Sequence, residues 1–180
     1  EKITRSSEDF KKKNLLINWW PGNFLSFYAP FFSLSNIKGE KITRSSEDFK
    51  KKNLLINFWA SWGDSISNHQ SNTELKEIYQ KYKKNKHIAM LGISLDMDKQ
   101  EWQDAIKRDT LNWEQVCDFG GLNSEVAKQY AIKQVPSNIL LSADGKILAK
   151  NLKGEQLKKK IEEVVTAAEE KEKQDNKKKK

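Results

Sequence analysis

A chain of 180 residues, 37% hydrophobic and 32% charged, is long enough for one domain with a buried core and short for two. Its net charge of +8 invites a nucleic-acid reading, but the lysines crowd the ends, with +4 over Lys171–Lys180 and +2 over Glu1–Pro21. The nearly balanced body excludes a phosphate-tracking groove. No apolar run is long enough to span a membrane, no signal-like segment follows Glu1, and the single cysteine, Cys117, excludes an intramolecular disulfide or dithiol centre.

The chain opens on a repeat. E-K-I-T-R-S-S-E-D-F-K-K-K-N-L-L-I-N at Glu1–Asn18 recurs letter for letter at Glu40–Asn57. Solenoids use three or more diverged copies, so two identical ones point to a recent duplication or an artificial extension. Only the second copy runs on into W-A-S-W and a helix, so it is expected to fill the centre of a sheet. Residues 1–21 are then expected to lie outside the core, with their N-L-L-I-N-W-W stretch a possible means of self-association through a sheet edge.

After the junction, Phe31–Leu34 and Lys41–Thr43 are strand candidates around the turn Asn36–Gly39. Leu54–Ala60 is almost continuously apolar, as a strand covered on both faces should be. Leu75, Ile78, Tyr79 and Tyr82 recur at helical spacing and predict a helix over Asp64–Tyr82. His87–Leu95 is the next buried strand. Asp98 with Glu101 marks a capped helix start that buries Trp102, Ala105 and Ile106. Trp113–Cys117 predicts a short strand and Asn123–Tyr130 a short helix. Ile139–Leu141 and Ile147–Ala149 form a hairpin across Asp144-Gly145. Leu157, Ile161, Val164, Val165 and Ala168 stripe a closing helix. This order predicts a three-layer α/β/α sandwich over residues 22–170, followed by a basic, disordered tail at 171–180.

N-F-W-A-S-W at Asn57–Trp62, leading from a buried strand into a helix, resembles the active-site strand of the thioredoxin-like TlpA/ResA group, related to the AhpC/TSA family. A-P-F-F-S-L at Ala29–Leu34 is similar to that family's domain start. Y-A-I-K-Q-V-P-S-N-I-L-L-S-A-D-G-K-I at Tyr130–Ile147 is similar to its proline-containing hairpin, and N-L-K-G-E-Q-L at Asn151–Leu157 to the entry of its last helix. The resemblance covers Tyr28–Thr166 and implies a thioredoxin-like fold, a cis bond before Pro136, and an exported, periplasmic or envelope setting.

The group's W-C-x-x-C puts a thiolate at a helix N-terminus, where the dipole lowers its pKa, and a resolving cysteine one turn on. Here those positions read Gly63-Asp64-Ser65-Ile66. Glycine has no side chain and isoleucine no heteroatom, so neither half of disulfide exchange can run there. Asp64 or Ser65 is expected to cap the helix. Ser65 and His69 share a helix face but lack an orienting acid and an oxyanion hole. His87 is a strand-edge residue, and no cluster has metal-ligand spacing. Cys117 is expected to be a buried hydrophobe. The leading expectation is a non-catalytic module binding an extended peptide or protein at Trp59, Trp62, Val135 and Pro136, without a cofactor. The alternative is the family's thiol-disulfide oxidoreductase activity.

Overall fold

The computed structural model describes residues 28–63 and 65–178, and in the helix that opens at Ser65 it describes side chains from Gln70 onward. The elements are β1 (Leu34–Asn36), β2 (Lys41–Ile42), β3 (Asn53–Trp59), α1 (Ser65–Tyr82), β4 (Ile88–Ser94), α2 (Lys99–Arg108), β5 (Glu114–Cys117), a 3-10 turn at Gly121–Asn123, α3 (Glu125–Gln129), β6 (Ser137–Leu141), β7 (Ile147–Lys150) and α4 (Gly154–Lys178). Residues 1–27, including the first repeat copy and the 21/22 boundary, lie outside the described residues, as do Asp64 and the last two lysines.

The seven strands form one mixed sheet in the order β2-β1-β5-β4-β3-β6-β7. β3 runs parallel to β4 from Asn53↔Ile88 to Trp59↔Ser94, and antiparallel to β6 with Phe58 opposite Ser137. The second repeat copy therefore supplies an interior strand, and every residue of β3 is buried. Its alternation splits the core. Leu54, Ile56 and Phe58 point to the face covered by α3 and by Phe32 and Phe49, whereas Leu55 and Trp59 point to the face covered by α1, α2 and α4. Both faces are thus shielded from water, which is why β3 shows no strict alternation of apolar and polar residues in its sequence.

Local chemistry fixes the element ends. Asp98 accepts the Glu101 backbone N–H at 2.9 Å and caps α2. Ser124 does the same for α3, accepting from Ala127 N–H at 3.0 Å. Between β6 and β7, Gly145 sits at φ 91°, a left-handed turn position that favours glycine. The first strand begins later than its sequence pattern suggests. Phe31 is exposed, and β1 starts at Leu34, because Asn36 organises the turn by accepting the backbone N–H groups of Lys38 and Glu40. That turn sets the pairing Ser35↔Lys41.

The tail differs from expectation. α4 continues through residue 170 to Lys178 instead of giving way to a disordered terminus. Its lysines and glutamates are good helix formers, and the extra turns are tied to the body. Glu169 accepts from Asn85 Nδ2 at 3.3 Å, while Glu172 lies 2.7 Å from Lys86 Nζ and 3.2 Å from His87 Nε2. Among the described residues, no helix is long and apolar enough to cross a membrane.

Candidate functional site

The carboxyl ends of β3, β4 and β5 open at one end of the sheet, and the degenerate W-G-D-S-I turn leaves from β3 there. Trp59, the last residue of β3, is core: it is 3% exposed, and its indole Nε1 donates to Gln115 Oε1 at 3.0 Å. That bond passes over β4 at Gly92, which lies opposite Asn57 on one side and Gln115 on the other. A Cβ on Gly92 would come within 1.9 Å of Gln115 Oε1, so only glycine leaves room for the amide to reach across. Trp59 therefore offers no surface to a partner. Trp62, three residues on, is 51% exposed and does.

Between the two tryptophans the turn is pinned by a group that the sequence pattern did not single out. Asp96, two residues beyond β4 and wholly buried, accepts the Ser61 backbone N–H at 2.9 Å, the Ser61 hydroxyl at 2.6 Å and the Ser94 hydroxyl at 2.6 Å. A carboxylate without such donors would be costly to bury, so the network holds both the acid and the residue before Trp62. The only advance signal was an aspartate closing an apolar strand in S-L-D, and a solvated turn would read the same way.

Val135 and Pro136 are half-buried, and the bond between them is cis, as the resemblance implied. The register Phe58↔Ser137 carries Pro136 next to the Trp59 end of β3. The structure thus brings the proline loop and the β3–α1 turn to the same end of two neighbouring strands. Gly63 is half-buried, its N–H donating to Ala60 C=O at 3.2 Å. Asp64 and the side chains of Ser65, Ile66 and His69 lie outside the described residues, so the capping and hydroxyl–imidazole readings do too.

Cys117 ends β5 on the same side of the molecule. Its Sγ is buried, 3.5 Å from the Asp96 carbonyl oxygen, and accepts the Phe119 backbone N–H at 3.3 Å. Burial pushes the thiol up to about 11, and the Phe119 and Ser94 hydrogen bonds only partly oppose this. A thiol held protonated at neutral pH is a poor nucleophile. Among the described residues, no three His, Cys, Asp or Glu side chains gather as a metal site.

Comparisons with known proteins agree on the family. A family model described as thioredoxin-like matches residues 50–147. Among solved structures, the C-terminal domain of a candidate thiol-disulfide oxidoreductase from Bacteroides thetaiotaomicron is 77% identical, with a TM-score of 0.78 over 79% of this chain and 97% of that one. A thiol-disulfide oxidoreductase from Bacteroides fragilis NCTC 9343 is 58% identical, with a TM-score of 0.74 over 77% and 99%. The thiol-disulfide oxidoreductase ResA of Bacillus cereus (strain ATCC 10987 / NRS 248) is 30% identical over 89 residues, 49% of either protein, so the match spans about half the length of that curated relative. The shared fold, the cis proline and the turn that leaves β3 place this chain in the thioredoxin-like family, as a domain related to the thiol-disulfide oxidoreductases.

Proposed function

We propose that this domain is a non-catalytic binding module that retains the thioredoxin-like scaffold without its redox centre. One observation carries the reading: the two positions at which the family performs disulfide exchange are Gly63 and Ile66, and the chain's lone sulfur nucleophile is the buried, protonated Cys117. Two-electron exchange of a dithiol for a disulfide needs two thiols within reach, and this chain has one. What persists at the site is recognition geometry. Trp62 is exposed at the turn, and the Val135-Pro136 loop lies at the end of β6 beside β3. An extended peptide or protein segment laid against that loop would gain backbone hydrogen bonds in the manner of an added strand, with Trp62 as its apolar wall. An exported or cell-envelope setting belongs to the same proposal, on the strength of the TlpA/ResA resemblance.

The test is turnover of a protein disulfide substrate by three proteins: the unmodified chain, Cys117→Ser, and Gly63→Cys combined with Ile66→Cys. The first two should be inert. The double-cysteine variant should gain partial activity, since a helix start favours a thiolate while neighbouring Asp64 opposes it. The 77% identity to a relative named for thiol-disulfide exchange supports the alternative, an active oxidoreductase. Turnover by the unmodified chain that vanishes in Cys117→Ser would establish that alternative in place of the binding module.

A further inference from the structure

Lysine crowds the end of the sheet at which the parallel strands begin. The run Lys50–Lys52 leads into β3, and Lys83, Lys84 and Lys86 lead into β4, with no acid inside either run. The two strands are parallel neighbours from Asn53↔Ile88, and the Asn53 backbone N–H donates to the His87 carbonyl at 2.8 Å, so the runs emerge side by side. The β6–β7 turn opens at the same end, because Leu141 pairs with both Leu54 and Ile147, and it carries Lys146. Two of these lysines are already partnered, Lys50 by Glu47 and Lys86 by Glu172. However, α4, which supplies Glu172, also brings Lys171, Lys173, Lys177 and Lys178 to this end, all exposed. The exposed acids of the same segments, Glu47, Asp48, Glu170 and Asp175, are outnumbered.

Ammonium groups on separate loop tips suit a broad anionic surface, where each adds to the attraction without needing a fixed partner. A nucleic-acid strand is held better by a groove with arginine forks and stacking aromatics. Arg44, at the β6–β7 turn, is instead directed to its own chain and donates to the Ala143 carbonyl at 3.2 Å. An aromatic side chain with a polar tip stands where a bilayer would use one. Tyr28 is bridged to Lys146 and 52% exposed, with the Lys146 ammonium 5.8 Å from its ring centre. Beside lysines, such a side chain matches the headgroup level, where the ring meets lipid and the hydroxyl meets water. The seven residues of β3 separate this end from the Trp62 turn by about 20 Å.

We propose that this end of the sheet is an electrostatic docking face for a bilayer rich in anionic phospholipid, holding the domain with its Trp62 and Pro136 end directed away from the lipid. The proposal does not rest on the peptide-binding reading, and either can fail alone. Its test is co-sedimentation of the full chain with vesicles of phosphatidylglycerol and phosphatidylcholine in equal parts, against vesicles of phosphatidylcholine alone. The first should bind saturably at low salt and the second should not, and about 0.5 M NaCl, which shortens the screening length to about 4 Å, should release the protein. Each lysine near such a surface is worth about fivefold, so Lys51→Gln with Lys84→Gln should weaken binding about thirtyfold. Lys99→Gln with Lys153→Gln removes the same charge from exposed positions at the opposite end, and should change it little. No binding to the anionic vesicles, or equal losses in the two variants, would overturn the docking face. Duplex DNA that strips the protein from the vesicles and binds it more tightly than they do would assign this end to nucleic acid and overturn the lipid proposal.

Discussion

Cys117 shows how one atom's surroundings decide what a residue can do. Its thiol ionises in the unfolded chain near pH 8.5 but only at about 11 in the fold, so the folded state disfavours the thiolate. The stability this confers is complete below about pH 8.5 and is lost as the pH climbs toward 11, by about 2–3 kcal/mol. Urea unfolding of the wild-type chain should therefore weaken across that window more than unfolding of Cys117→Ala, whose curve lacks this contribution. Gly92 is a second case. Gly92→Ala forces Gln115 off its path and strips the Trp59 indole of its acceptor, and we expect a loss of about 2–3 kcal/mol with a changed tryptophan emission. Neither effect is visible as a motif. Asp96, Gln115 and Glu74 each read in the sequence as ordinary polar residues, because what distinguishes them is a partner 35, 56 or 80 positions away. Gly63 and Ile66, by contrast, were legible at once, since the chemistry excluded there depends on residue type alone.

At the scale of elements, the strands and capped helices were easy to read and the ends were not. β3 and β4 announce themselves by nearly continuous apolar runs, and α2 by Asp98, because burial on two faces and a cap are local signals. The final ten residues look like a solvated tail because nothing in K-E-K-Q-D-N-K-K-K-K says that Lys86 and His87 wait alongside. The two halves of α4 should respond very differently to change. Ile161 is wholly buried in the core cluster that also holds Leu75, Trp102 and Leu140, so Ile161→Ala should cost about 2–5 kcal/mol in chemical denaturation. Among the described residues, deleting 171–180 removes the surface pair Lys86–Glu172 and the contact of Glu172 with the half-buried His87. It should reduce far-UV helical signal while leaving the melting temperature almost unchanged.

For the whole molecule, residues 28–178 already close a seven-stranded sheet with both faces covered, and the interior slot read by the repeated sequence is filled by its second copy. Truncating Glu1–Pro21 should leave the melting temperature nearly constant and diminish any self-association seen by light scattering. A large loss of stability would show that the first copy is built into the fold. The sheet's borders carry a further consequence for solubility. β2, on one border, is two residues long and includes Lys41. β7, on the other, is four residues long, is bridged at its entry by Tyr28, and stops at Asn151, whose φ of 56° breaks the extended backbone. Short, basic or interrupted borders are poor templates for a neighbouring chain, whereas N-L-L-I-N-F-W and I-A-M-L-G-I-S, among the described residues the stretches best suited to cross-β stacking, are enclosed on both sides. Fibre formation by the described domain is therefore gated by global unfolding, not by growth from the native rim.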